Sequence, residues 1–130
     1  AAGHGVRLLL EPLNDRVDHP NSFLNSTLEA WEIIEAVGSP QLGLLFDLYH
    51  SQVMGEDLVA VLSSNVDRLW HVQIADAPGR HEPGTGSIPW RHVLSQLLEL
   101  SYTGPIGLEY QPQAPTSESL AYLREVIDSL

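Results

Sequence analysis

The stretch Leu42-Gly43-Leu44-Leu45-Phe46, followed directly by Asp47, is the part of the sequence that decides the fold. It is an apolar run of strand length that ends at an oxygen-bearing side chain. The same pattern occurs at residues 6–10 with Glu11, at 69–74 with Gln73, and at 106–108 with Glu109. In barrels and open α/β sheets, functional groups gather at the carboxyl ends of parallel strands. The repeat therefore predicts a parallel sheet with one shared polar site.

Helical patterns separate the four predicted strands. The first helix begins at the capping-box sequence Ser26-Thr27-Leu28-Glu29, and Gly38 supplies its C-terminal stop. Further helices are predicted at residues 56 to about 65, from about 89 to 100, and after Thr116 and Ser117 to the last residue. The apolar residues at helical spacing, which are predicted to face the core, include Leu28, Val37, Leu98, Ile127 and Leu130. The order is βαβαβαβα, which favours a parallel sheet with right-handed crossovers.

Four such units fit either a small open sheet or one half of a (β/α)8 barrel, which typically has about 250 residues. We favour an α/β fold of the (β/α)8 TIM-barrel type, with residues 1–130 as one domain that forms about half a barrel. The strand ends converge, and no glycine-rich phosphate-binding fingerprint follows the first strand. The chain begins without methionine, which suggests a piece of a longer protein. The outer strands would then need cover from a homo-oligomer or a missing N-terminal half-barrel.

The composition argues against several classes of protein. Six Lys and Arg stand against seventeen Asp and Glu, which gives a formal charge of −11. Such a surface repels phosphate backbones, so nucleic-acid binding is not expected. The sequence contains no cysteine, which excludes disulfides and cysteine zinc sites and fits a cytoplasmic protein. It contains no apolar run of membrane-spanning length, so a membrane partner is not expected.

The four strand-end residues form an all-oxygen set of possible metal ligands. Carboxylate and amide oxygens suit hard divalent cations, so Mg²⁺ or Mn²⁺ is the expected cofactor. A cation held in this way keeps open positions for a substrate, and a neighbouring carboxylate can move a proton between adjacent carbons. A single acidic residue at a strand end is usually a helix cap or a solvated turn residue. Four in register on successive strands make that interpretation much weaker.

Two further residues are candidates for substrate binding. His50 follows Asp47 by three positions, so both can face one cleft, where the imidazole can donate to a substrate oxygen. A partly buried structural histidine is an equally good interpretation. Arg80 lies in the long loop at residues 75–87, where a guanidinium can bind an anionic carboxylate with two hydrogen bonds. The alternative is a surface pair between Arg80 and Glu82.

Four segments also carry a family resemblance. They are Leu10-Glu11-Pro12-Leu13-Asn14, Tyr49-His50, His71-Val72-Gln73-Ile74-Ala75-Asp76 with the loop to Gly86, and Gly107-Leu108-Glu109-Tyr110. Together they resemble the hydroxypyruvate isomerases of the xylose-isomerase-like TIM-barrel superfamily. The resemblance covers almost the whole chain, but only the C-terminal half of the family's barrel, strands five to eight.

The resemblance implies a metal-dependent isomerase that interconverts hydroxypyruvate and tartronate semialdehyde by glutamate-mediated proton transfer through an enediolate. It implies that Glu11 and Glu109 are the catalytic acid/base residues. The implied metal ligands are Glu11, Asp47, Gln73 and Glu109, and the implied substrate-binding residues are His50 and Arg80. The partner would be a small anionic hydroxy-oxo acid.

Three alternatives stay open at this point. One is a four-carbon 2-oxo-acid isomerase or a ketose 3-epimerase of the same superfamily. Another is a metal-dependent endonuclease of that superfamily, against which the acidic charge and the few histidines of the ligand set argue. The third is a non-catalytic or inactive half-barrel fragment.

Overall fold

The computed structural model describes residues 3–130 and contains a single four-stranded sheet in that range. The strands are β1 (Leu8–Leu10), β2 (Leu42–Asp47), β3 (Leu69–Ile74) and β4 (Ile106–Leu108). They are parallel and neighbours in sequence are neighbours in the sheet, in the order β1-β2-β3-β4. This arrangement confirms the predicted parallel α/β sheet. Its four strands and their crossover helices correspond to about half of an eight-stranded barrel.

The helices follow the strands as β/α units require. They are α1 (Thr27–Val37), α2 (Leu48–Met54), α3 (Leu58–Ser64), α4 (Trp90–Glu99), α5 (Thr116–Ser119) and α6 (Ala121–Asp128), with a 3-10 turn at Val66–Arg68. Ser26 accepts the backbone N–H of Glu29 at the start of α1, and Gly38 ends that helix with φ at 63°. The predicted cap and stop of the first helix are therefore confirmed. In the described part of the chain, we find no helix with the length and apolarity needed to cross a membrane.

The helix α2 was not predicted, and it lies directly behind the proposed site. Asp47 caps it by accepting the backbone N–H groups of Tyr49 and His50, and Gly55 ends it in the left-handed conformation. A helix of seven residues contains too few turns to show an apolar period in the sequence. The predicted helix at 56–65 consequently begins later, because Asp57 caps α3.

The strand β1 is shorter than the predicted residues 6–10. Its first residue, Leu8, is paired with Leu42, the first residue of β2. Residues 6 and 7 therefore precede the start of the neighbouring strand and find no ladder partner there.

The core lies between the sheet and the helices that cover it. The helix α1 packs on β2, α2 on β3, α3 on α4, and α4 on α6. Five residues predicted to face the core are instead exposed, namely Leu28, Val37, Leu98, Ile127 and Leu130. The last three line an apolar groove of about 510 Å³ beside β4, together with Ile106 and Leu108. Their helical spacing is as predicted, but their side of the helices faces the unpaired edge of the sheet.

Candidate active site

The carboxyl edge of the sheet brings the four predicted ligands to one place. Asp47 and Gln73 are direct partners in the register of β2 and β3, so their side chains leave the same face of the sheet. Glu11 directly follows β1, and one of its oxygens lies within 4.8 Å of an Asp47 oxygen. Glu109 directly follows β4, and its backbone N–H donates to Ile74 O at 3.2 Å. The predicted convergence of strand ends is thus present in the structure.

Asp47 is the most deeply buried of these carboxylates. Its Oδ1 accepts the backbone N–H groups of Tyr49 at 2.8 Å and His50 at 3.4 Å. Its Oδ2 lies 3.5 Å from Arg80 Nη2. Burial nevertheless dominates and raises the pKa of Asp47 to about 6, although Arg80 and the two backbone donors oppose the rise. The same side chain therefore caps α2 with Oδ1 and belongs to the acidic site through Oδ2.

Glu11 is half-buried beside the same cluster. Burial raises its pKa to about 7, and the negative charges of Asp47 and Glu109 add to the rise, while Arg80 opposes it. A carboxyl group with a pKa near 7 is well suited to accept and return a proton at neutral pH. Raised pKa values on two neighbouring carboxyl groups mark this cluster as a candidate functional site.

Gln73 supplies the observation that tests whether a cation fits. Its Oε1 is buried and has no hydrogen-bond partner among the described residues. A buried amide oxygen without a partner costs about 1–3 kcal/mol, so it is normally satisfied by a ligand or water. Gln73 lies beside Asp47 in the sheet register, and both side chains offer an oxygen atom as a metal ligand. The residues present therefore fit a hard divalent cation.

Arg80 reaches from the long loop into the centre of this acidic cluster. Its Nη2 lies 3.5 Å from Asp47 Oδ2 and 3.2 Å from Glu109 Oε1, and its guanidinium stacks over the Tyr49 ring at 5.1 Å. Glu82, the alternative partner, instead accepts the backbone N–H of Gln113 at 2.9 Å. Arg80 therefore belongs to the site and does not form the surface pair.

Asp76 holds this loop in place, and the sequence did not single it out. It is fully buried and accepts hydrogen bonds from Ala77 N at 2.9 Å, Gly84 N at 2.8 Å, Ile88 N at 3.1 Å and Trp90 Nε1 at 2.8 Å. One carboxylate thus joins both ends of the loop to the start of α4. An aspartate two residues after a strand and before a glycine-rich loop was the available signal.

His50 is buried between the acidic cluster and Asn14. Its Nδ1 lies 2.6 Å from Asn14 Nδ2 and 3.3 Å from Asn14 N, and its Nε2 lies 3.9 Å from Asp47 Oδ2. Burial lowers the pKa of His50 to about 4, and the positive charges of Arg80 and His19 contribute. The ring is therefore neutral at physiological pH. Asn14 is the second residue of the site that sequence reasoning missed, although it ends a quoted motif.

The fold and this geometry agree with comparisons to known proteins. A family model described as the xylose isomerase-like TIM barrel matches residues 1–126. The chain belongs to the xylose isomerase-like TIM-barrel family. Its relatives include a 2-oxo-tetronate isomerase from Cupriavidus necator, which is 39% identical over 124 residues, 95% of this chain and 47% of the relative. The hydroxypyruvate isomerase of Escherichia coli K12 is 36% identical over 118 residues, 91% of this chain and 45% of the relative.

A solved structure shares the fold of this chain over most of its length. A crystal structure of an AP endonuclease of family 2 from Brucella melitensis superposes with a TM-score of 0.87 at 37% identity, over 94% of this chain and 47% of that one. The chain spans about half the length of the curated relatives it matches. These comparisons confirm the resemblance and the barrel fold class. The roles of the individual site residues stay predictions.

Proposed function

We propose that this protein is a metal-dependent isomerase that interconverts hydroxypyruvate and tartronate semialdehyde. The observation that carries the proposal is the convergence of Glu11, Asp47 and Gln73 at one edge of the sheet, with Arg80 joining Asp47 to Glu109. The all-oxygen ligand set can hold a metal ion that binds a substrate carbonyl, and the guanidinium of Arg80 beside it can bind a carboxylate. Together they suit a small substrate that carries both groups.

The cation would be Mg²⁺ or Mn²⁺, held by the four predicted ligands Glu11, Asp47, Gln73 and Glu109. When bound, it would polarise the substrate carbonyl as a Lewis acid. Of these ligands, Gln73 offers an amide oxygen that has no partner in the described residues. Asp47 is held rigid by its two backbone donors, so little ordering entropy is lost when it binds.

The two glutamates are the proposed acid/base residues. Glu11 lies at the end of β1 and Glu109 at the end of β4, on opposite sides of the central strands. One of them would remove the proton next to the substrate carbonyl, and the proton would return at the neighbouring carbon through an enediolate. In the metal-free site, burial and the charges of Asp47 and Glu109 raise the pKa of Glu11 to about 7, which supports a role for this carboxylate as a base.

Arg80 and His50 are the proposed substrate-binding residues. Arg80 is 15% exposed at its side chain, so one edge of the guanidinium stays accessible to a carboxylate. His50 Nε2 is buried without a hydrogen-bond partner in the described range, and it points toward the acidic cluster near Asp47. A substrate hydroxyl or carbonyl oxygen there would satisfy it.

We further propose that the chain corresponds to the C-terminal half of the barrel, strands five to eight. The exposed apolar residues beside β4 and the unpaired edges of β1 and β4 would then be covered by an N-terminal half-barrel or by a second copy in a homo-oligomer.

A second candidate substrate is a four-carbon 2-oxo acid. It is favoured by the 39% identity to the 2-oxo-tetronate isomerase from Cupriavidus necator. The chemistry at the reacting carbons would be the same, and only the room for an extra hydroxymethylene group would differ. A ketose 3-epimerase would need space for an uncharged sugar, which leaves Arg80 without a carboxylate to bind. The charge of −11 argues against an endonuclease.

The first test of the proposal is Mn²⁺ binding by calorimetry, with the parent compared to Glu109→Gln. Removing one carboxylate ligand should weaken Mn²⁺ binding at least about tenfold, or about 1.4 kcal/mol. The control is Glu99→Gln, which makes the same change at an exposed position at the end of α4. It should leave the affinity unchanged. Equal affinities for parent and Glu109→Gln would remove Glu109 from the ligand set.

The second test is turnover of the two candidate substrates by the Mn²⁺-loaded protein. A kcat/KM for hydroxypyruvate that exceeds the value for a four-carbon 2-oxo acid would support the leading proposal. The reverse order would support the second candidate. Metal binding with turnover of neither substrate would favour a non-catalytic half-barrel.

A further inference from the structure

Asn14 contacts His50 in a way that defines which ring nitrogen carries the proton. The Oδ1 of Asn14 accepts the backbone N–H groups of Val17 and Asp18, both at 3.0 Å. These two bonds fix the orientation of the amide, because its oxygen must face the backbone donors. Its Nδ2 therefore points the other way, toward His50 Nδ1 at 2.6 Å and Asp18 Oδ2 at 2.7 Å.

The Nδ1 atom of His50 consequently faces two donors. One is the amide of Asn14, and the other is the backbone N–H of the same residue at 3.3 Å. A proton on Nδ1 would point at both of these N–H groups, and neither can accept it. The proton of the neutral ring therefore lies on Nε2. The assignment follows from hydrogen bonding, as it does for other histidines whose second nitrogen is held by a neighbour.

We propose that Asn14 is a positioning residue that fixes His50 in the tautomer protonated at Nε2, so that His50 donates to a substrate oxygen and cannot bind the cation. The substrate part rests on the function proposed above, whereas the tautomer does not. His50 lies within 4.8 Å of ligand atoms of both Glu11 and Asp47, which is close enough for a shared metal site. The proton on Nε2 is what excludes His50 from the metal site. Asn14 thereby keeps the ligand set all-oxygen and favours Mg²⁺ or Mn²⁺ over zinc.

The direct test is the ¹⁵N spectrum of His50 in the labelled protein with Mg²⁺ at pH 7.5. Long-range ¹H–¹⁵N correlations distinguish protonated from unprotonated ring nitrogens, and His50 is assigned by the signals that His50→Gln loses. We expect Nε2 to be protonated and Nδ1 unprotonated. Protonation at Nδ1 in the parent would overturn the proposal, and this outcome needs no variant to fold.

The variant Asn14→Asp places an acceptor where the amide donates. Its second oxygen still accepts from Val17 and Asp18, so the local backbone keeps its partners. We expect the proton of His50 to move to Nδ1. The freed Nε2 would then become a nitrogen ligand, and the Zn²⁺ affinity relative to Mg²⁺ should rise at least about tenfold.

The matched control is Asn25→Asp. Asn25 Nδ2 also donates to a nearby carboxylate, Asp15 Oδ2 at 2.7 Å, so the substitution introduces the same charge beside an aspartate without touching His50. It should change neither the tautomer nor the metal preference. An unchanged tautomer in a folded Asn14→Asp would overturn the proposal. A moved proton without a rise in Zn²⁺ preference would overturn the claim that the proton on Nε2 is what excludes His50 from the metal site.

These readouts separate the role of Asn14 from the proposed activity. If the protein isomerises no 2-oxo acid while His50 is protonated at Nε2, the proposed function fails and the tautomer assignment stands. If the protein is active and His50 is protonated at Nδ1, the proposed function stands and the tautomer assignment fails.

Discussion

The sharpest stability prediction concerns the buried carboxylate that holds the long loop. In Asp76→Asn, one oxygen becomes an NH2 group, which donates and cannot accept. Oδ1 accepts from Ala77 N and Ile88 N, and Oδ2 accepts from Gly84 N and Trp90 Nε1. Whichever way the amide turns, two N–H groups lose their acceptor: the buried pair of Ala77 and Ile88, or the buried Trp90 Nε1 and the part-buried Gly84 N. Since a hydrogen bond to a charged group contributes about 1.5–3 kcal/mol, the loss of two should lower the free energy of unfolding by about 3–6 kcal/mol.

Urea unfolding followed by far-ultraviolet circular dichroism measures this change. The control is Asp67→Asn, at an exposed position in the 3-10 turn, which should stay within about 0.5 kcal/mol of the parent. Trp90→Phe keeps most of the ring but removes one of the four donors, and it should cost about 1–2 kcal/mol.

The double variant provides the decisive comparison. If the new amide NH2 faces position 90, the Trp90 N–H is one of the two donors that Asp76→Asn leaves without an acceptor, and Trp90→Phe removes that donor. The double variant should then lose at least about 1 kcal/mol less stability than the sum of the two single variants. A loss below about 1 kcal/mol in Asp76→Asn would refute the role assigned to this carboxylate, whereas strictly additive costs would place the amide NH2 at Ala77 and Ile88.

Three further predictions follow from the site. Mn²⁺ affinity should fall about a hundredfold from pH 8 to pH 5.5, because Glu11 and Asp47, with pKa values of about 7 and 6, must lose their protons to bind; a flat calorimetric profile would contradict this. Arg80→Lys should raise KM for a 2-oxo acid at least about tenfold with a smaller change in kcat, since lysine cannot make the paired bonds, whereas the exposed Arg91→Lys should change neither. Gly86→Ala should lower the free energy of unfolding in urea by about 1–3 kcal/mol, because its Cβ would collide with the Ala77 carbonyl and the Asp76 carboxylate; an unchanged free energy would show that the loop can move to accept the Cβ.

The strands and the first helix were predictable because their signals are local. An apolar run such as Leu42–Asp47 and a cap such as Ser26 depend on neighbours in the sequence, so a reader of the sequence can find them. The convergence of four strand ends followed from the topology of β/α units, which places all carboxyl ends at one edge. The fold class and the candidate ligands could therefore be predicted together.

The residues that were missed act over long separations or through the backbone. Asn14 contacts His50 across 36 positions of sequence, and only the folded chain brings the two together. The role of Asp76 depends on the end of the loop returning to its beginning, where the N–H of Ser87 donates to Ala77 O at 2.8 Å. Leu98 and Ile127 have the right helical spacing, but the spacing alone does not tell which side of a helix faces the sheet edge. Each failure concerns tertiary context, which a local pattern does not contain.

The acidic site also determines how the stability of the metal-free protein depends on pH. The pKa values of Glu11 and Asp47 are raised above the values of about 4.5 and 3.8 that these groups have when solvated. Between the solvated and the raised pKa, these two groups bind more protons in the folded protein than in the unfolded chain. Their contribution to stability therefore decreases as the pH rises from about 4 to 7, and the lowered pKa of His50 offsets part of this decrease. A cation that binds only the folded protein acts in the opposite direction, adding about 2.7 kcal/mol at a hundredfold excess over its Kd. Glu11 and Asp47 therefore lower the free energy of unfolding of the metal-free protein at neutral pH. Their deprotonated oxygens are best able to hold a cation at the same pH.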